Sequence, residues 1–136
     1  MSQSISFNSI VTPKKQLTGV NLAVAVAQAG STTLAEVPTT SLRRLMCEIV
    51  VSSKLLGAFS ILARPTKDAP YVTLYSAAAQ FTAPAGPLIG VSGDLTTQAV
   101  GTGWFIMDVQ GMESVKITAA SGDAAGSTVD VYIGGN

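Results

Sequence analysis

The stretch "GTGWFIMDVQGMESVKITAASG", residues 101–122, carries the choice between a ligand site and a sheet framework. It holds the single tryptophan, Trp104, and two apolar runs separated by a short break around Gly111. Successive side chains of a strand point to opposite faces. The first run therefore puts Trp104, Ile106 and Asp108 on one face and Phe105, Met107 and Val109 on the other. Apolar residues on both faces predict a central strand, buried in the core on one side and at an interface on the other. "QGME" (110–113) reads as a turn, after which Val115, Ile117 and Ala119 face inward while Lys116 and Thr118 face out. The expectation is a β-hairpin in which Asp108 and Glu113 are strand-end and turn residues, not a catalytic pair.

The same period of two recurs in both directions along the chain. "NLAVAVAQAG" (21–30) places Leu22, Val24 and Val26 on one face, and "TTLAEVP" (32–38) is a short extended piece closed by Pro38. "LGAFSILARP" (56–65) puts Phe59 and Ile61 together and stops at Pro65. "YVTLYSA" (71–77) is rich in residues that favour strands, and "GSTVDVYIGGN" (126–136) alternates through Val129, Val131 and Ile133. "SLRRLMCEIVVSS" (41–53) fits two patterns. Leu42, Leu45, Met46, Ile49 and Val50 make a helical stripe, whereas Leu45, Cys47, Ile49 and Val51 make one face of a strand. Its β-branched end and strand-like neighbours favour the strand. Residues 77–103 form a Gly/Pro/Ala/Thr-rich excursion with room for one short strand near 87–91. Eight to nine short antiparallel strands with no helix pair predict an all-β, single-domain β-sandwich or jelly roll over 20–136, preceded by an arm at 1–19.

Composition narrows the function classes. The 136 residues suit one domain with a real core. Eight basic and eight acidic residues cancel, and only 12% of residues are charged, about half the usual share. Without a basic footprint, no nucleic-acid partner is expected. No window approaches the roughly 18 uninterrupted apolar residues of a membrane helix, so no membrane partner is expected. "MSQSISFNSIVTPKKQ" lacks the order of a secretory signal, and the lone Cys47 excludes an internal disulfide framework. Synthesis in a reducing cytoplasm follows. A weakly charged surface of Ala, Ser, Thr and Gly favours self-association, because charge normally opposes it.

Chemistry finds little purchase. The chain has no histidine, which removes the histidine-based triads and most zinc sites. Cys47 reads as a small buried hydrophobe. Asp68, Asp94, Glu113 and Asp123 sit in turn-like contexts, where acidic side chains bond nearby backbone. No calcium loop, Rossmann fingerprint or phosphate loop is present, so the expectation is no enzyme, no metal and no cofactor. Tyr71, Tyr75, Trp104, Phe105 and Tyr132 could form a sugar-stacking platform, with Tyr71 and Tyr75 sharing a face, but core filling competes for them.

From "YVTLYSA" through "GDLT" and "GWFIMDVQGMESVKITAASG" to "GSTVDVYIGG", the second half resembles small β-sandwich virion proteins of bacteriophages, which decorate or cement heads or adorn tails. The resemblance covers about residues 70–136 and rests on Asp108, Val109, Gly111, Val115, Ile117, Gly126, Val129 and Val131. It implies a non-enzymatic virion protein that self-associates, as a trimer by preference, and binds the major capsid protein or another virion protein. A carbohydrate- or receptor-binding module of a tail or fibre is the alternative. From arm and loop character, Ile5, Phe7, Phe81, Leu88 and Ile89 are the expected interface anchors.

Overall fold

The computed structural model describes residues 17–51, 56–77, 88–92, 101–122 and 125–136. Among these lie nine strands and no helix: β1 (Leu17–Val26), β2 (Thr32–Pro38), β3 (Arg44–Val51), β4 (Leu56–Arg64), β5 (Val72–Ala77), β6 (Leu88–Ser92), β7 (Gly101–Asp108), β8 (Ser114–Ser121) and β9 (Ser127–Gly135). They build two antiparallel sheets, ordered β1-β9-β3-β7-β6 and β2-β8-β4-β5. The pairing is nested: β1 with β9, β2 with β8, β3 with β7, and β4 with β5. One long two-stranded ribbon folded over on itself gives this order, so the sandwich is a jelly roll. β6 is added outside β7 as an edge strand.

Alternating residues from both sheets fill the core. Leu45, Cys47, Ile49 and Val51 of β3 are fully buried and face Phe59, Ile61, Val115 and Ile117 of the other sheet. Phe59 and Phe105 meet edge to face across the layers, with ring centroids 6.1 Å apart. Residues 44–51 are thus a strand, and the exposed Met46 cannot belong to a buried helical stripe. Leu42, which fits the helical stripe alone, is buried in the corner just before the strand.

Residues 101–122 are not a hairpin, which corrects the expectation from sequence. β7 pairs with β3 and β6, whereas β8 pairs with β2 and β4. The corner between them carries the chain from one sheet to the other, so Phe105 and Met107 lie across the core from Val115 and Ile117. An inward-facing alternation is the same for a hairpin and for such an arch, and the sequence pattern could not separate them. The Asp108 carboxylate accepts the Gln110 amide at 3.0 Å, and the Met112 amide donates to the Val109 carbonyl at 3.1 Å. Gly111 supplies a φ of 85° at the apex.

The Glu113 amide donates to the Arg64 carbonyl at 2.8 Å, and two further backbone bonds tie this corner to the matching corner at 39–43. The Val109 amide donates to the Arg43 carbonyl, and the Thr39 amide to the Glu113 carbonyl, both at 2.9 Å. The two arches thereby satisfy each other where a hairpin would have bonded itself.

β1 takes in Leu17, Thr18 and Gly19, which the sequence reading placed in the arm. Its alternation also breaks. Leu22 and Ala23 together oppose Asp130, forming a bulge between the Asn21–Val131 and Val24–Val129 pairs. Val26 is buried and Val24 packs against the core, but Leu22 is 62% exposed. Ala23 adopts a φ of 54°, and its amide donates to the Asp130 carboxylate at 2.8 Å.

Candidate interaction surface

The two outer faces of the sandwich differ in chemistry. On the four-stranded sheet, cross-strand register aligns Glu36, Lys116 and Leu62 in one row and Thr118, Ser60 and Ser76 in another. This face is polar. On the five-stranded sheet, the row Val20–Tyr132–Glu48–Trp104 lies beside the row Gly134–Met46–Ile106–Gly90. The centre of this face is largely apolar, with Arg44, Asp108 and Asp130 in the flanking rows. Val20, Met46 and Tyr132 are exposed, Leu22 and Ile89 extend the exposed apolar surface at its margins, and Trp104, Ile106 and Val50 are half-buried.

The apolar face follows from the strand period. With Leu45, Cys47, Ile49 and Val51 turned inward, β3 must present Arg44, Met46, Glu48 and Val50 to the outside. With Phe105 and Met107 inward, β7 presents Trp104 and Ile106. The Trp104 indole lies over Gly90 of β6, where an added Cβ would come within 3.3 Å of its Cζ3 atom. Glycine at this position lets the ring lie against the sheet. A shallow groove of about 260 Å³ runs past Val20, Met46, Glu48, Tyr132 and Gly134. Neither Glu48 nor Arg44 makes an ion pair among the described residues.

The polar face carries one side-chain network at its corner end. The Arg64 guanidinium donates to Glu113 at 2.8 Å and approaches the Tyr71 ring at 4.7 Å, and the Lys116 ammonium approaches the same ring at 4.5 Å. The Tyr71 hydroxyl donates to Glu36 at 2.5 Å and lies 2.8 Å from the Ser114 hydroxyl. Burial, then the bond to Glu36, raises the Tyr71 hydroxyl above its ordinary range, while Ser114 pulls the other way. The bond to Glu113 comes first in raising Arg64. Every charge here has an opposite partner or a ring, so the network braces β2, β4, β8 and the start of β5.

The aromatic residues scatter over several surfaces. Phe105 is core, and Tyr75, opposite Ile61, packs against it. Tyr71 and Tyr75 do not share a face, because the β4–β5 register slips between Ile61 and Leu62 and leaves Leu74 as the extra residue. Among the described aromatic residues, only Trp104 and Tyr132 stand on the same outer face, flanking Glu48 in one cross-strand row.

Of the expected anchors, Ile5, Phe7 and Phe81 lie outside the described residues, as do Asp94 and Asp123. Leu88 is a correction. It pairs with Met107 and is 5% exposed, so it fills this chain's own core and presents no side chain to a partner. Its neighbour Ile89 is 46% exposed at the edge strand. Met46, Glu48 and Val20 escaped the sequence reading as surface residues. The signal was present, since each is the alternate partner of an inward-facing neighbour.

Cys47 is fully buried, and burial first, with the Glu48 carboxylate second, pushes its thiol far above the ordinary range. Among the described residues no cluster of three metal-ligating side chains occurs, and no helix is long and apolar enough to cross a membrane.

No protein-family model matches this sequence, and no curated protein matches it. A solved structure does resemble it in fold. The SPBc2 prophage-derived protein YomS superposes with a TM-score of 0.55 at 12% identity, over 90% of this chain and 96% of that one. The two share an all-β architecture, and this chain has a prophage-derived protein as a structural neighbour.

Proposed function

We propose that this chain is a non-enzymatic structural protein of a phage particle. In this reading it self-associates, binds the capsid lattice through the major capsid protein or another virion protein, and stabilises the head as a decoration or cement protein. The observation that carries the reading is the apolar outer face of the five-stranded sheet, with Val20, Met46 and Tyr132 exposed on a chain that has no net charge. Contiguous exposed apolar surface on a soluble protein marks an interaction site. The prophage origin of YomS supports the phage setting, as a likeness of fold.

The test is direct localisation. Immunogold labelling and mass spectrometry of purified particles are expected to place the protein on the head, and particles lacking it are expected to lose their contents at lower temperature. A protein found only in the soluble fraction of the lysate ends this reading.

One observation favours a second reading, a carbohydrate- or receptor-binding module of a tail or fibre. Tyr132 and Trp104 flank the unpaired Glu48 carboxylate, and such rows can stack on a sugar while hydrogen-bonding its hydroxyls. A glycan array, followed by titration of Trp104 fluorescence, separates the two readings.

A further inference from the structure

We propose that the outer face of the five-stranded sheet pairs with the same face of a second copy, about a two-fold axis passing beside Met46. The inference rests on the reading that this chain self-associates, and names the surface and the symmetry.

The argument begins on β3. Its outward side chains run Arg44, Met46, Glu48 and Val50, so one cation and one anion lie symmetrically on either side of Met46. An isologous contact brings residue i of one copy against residue j of the other, and j against i. A two-fold axis lying between the sheets and crossing β3 at Met46 makes the paired strands antiparallel. It sets Arg44 of each copy opposite Glu48 of the other. Both groups lack an ion pair within the described residues, so the dimer gives each a partner.

The neighbouring strands extend the same complementarity. The row through Glu48 is bulky, with Tyr132 on β9 and Trp104 on β7. The row through Arg44 is smaller and polar, with Asn136 on one side and Asp108 on the other. The axis places each bulky row against a polar one and sets Trp104 of each copy near Asp108 of its partner. The central row carries glycine on either side of Met46 and Ile106, at Gly134 and Gly90, and permits close approach there.

The size also fits. Five strands about 4.8 Å apart and about eight residues long cover roughly 600 Å² per copy. The total of roughly 1,200 Å² lies at the lower end of specific interfaces. A three-fold contact joins two different patches and would leave this self-complementary pattern unused, so the pairing departs from the trimer implied by resemblance.

The experiment is sedimentation equilibrium of the full chain over a concentration series, with melting temperatures read in parallel. The wild type is expected to be a monomer–dimer equilibrium. Arg44→Glu and Glu48→Arg, each alone, are expected to weaken the dimer by at least about tenfold, because each sets like charges opposite. The double variant R44E/E48R restores the complement and is expected to return within about threefold of wild type. Met46→Cys is expected to form a disulfide-linked dimer on mild copper-catalysed air oxidation, because the axis brings the two copies of residue 46 together. A wild type that stays monomeric, forms trimers, or binds a sugar at Glu48 as a monomer overturns the inference. So does a dimer unmoved by the single reversals in variants that melt like wild type. These outcomes are independent of particle localisation: a protein on the head whose mass ignores the reversals removes this interface alone, and a dimer absent from particles removes only the virion reading.

Discussion

The Thr39 hydroxyl donates to the Met112 carbonyl at 2.8 Å, joining two corners 73 residues apart in the chain. Thr39 is 1% exposed, so this bond is made away from water, where the two inter-sheet arches of the jelly roll touch. Replacing Thr39 by Val removes the donor and leaves the part-buried Met112 carbonyl without its side-chain partner. The expected loss is about 1–3 kcal/mol in urea unfolding. Thr39→Ser keeps the hydroxyl and is expected to recover most of that loss. A Thr39→Ser chain that loses stability while Thr39→Val does not would show that the methyl group, not the bond, matters there.

The β1 bulge holds Ala23 at a positive φ, a conformation that costs an alanine about 1–2 kcal/mol. Ala23→Gly is therefore expected to raise stability by up to about 1 kcal/mol, after the extra chain entropy of glycine is subtracted. Asp130→Ala removes the carboxylate that accepts the Ala23 amide and is expected to cost about 0.5–1.5 kcal/mol. Thermal melts of both variants check the pair, and a destabilised Ala23→Gly chain would contradict the assigned bulge.

Cys47 predicts an alkaline limit to stability. Its thiol stays protonated in the fold but ionises in the unfolded chain above about pH 8.5. Above that pH the folded state binds more protons, so stability is complete below it and falls as pH rises, by about 1.4 kcal/mol per pH unit. Tyr71 and Tyr75, both raised with burial the first cause, add to the loss above about pH 10. Urea midpoints across this range are expected to fall steeply for wild type and less steeply for Cys47→Ala. An aromatic disulfide reagent is expected to label Cys47 only after unfolding.

Trp104 reports on its own face, being the chain's single tryptophan. Gly90→Leu sets a side chain where the indole now lies and is expected to lift the ring, shifting its emission to longer wavelength. An unshifted spectrum would mean that the indole does not rest on Gly90.

Much of the architecture was legible because burial imposes a period of two on each strand. β3, β4, β8 and β9 show it in Leu45–Cys47–Ile49–Val51, Phe59–Ile61–Ala63, Val115–Ile117–Ala119 and Val129–Val131–Ile133, all buried as the alternation requires. Where a strand bulges, the rule fails. Leu22 and Tyr71 were placed on the wrong faces because one extra residue reverses every side chain beyond it. Leu88 was misread for another reason: lying in a Gly/Pro-rich excursion, it gave no local sign that its strand would add to β7 and turn it inward.

Taken alone, the sequence determined that this chain would form short antiparallel strands around one apolar core, since alternation and β-propensity act locally. Tertiary structure alone decided which strands became neighbours. Whether residues 101–122 closed as a hairpin or opened as an arch depended on Thr39 and Arg43, far away in the chain, offering bonds to the corner. The apolar face was likewise beyond any local reading. Val20, Met46, Trp104 and Tyr132 lie on four strands, and only their order in the sheet brings those side chains together.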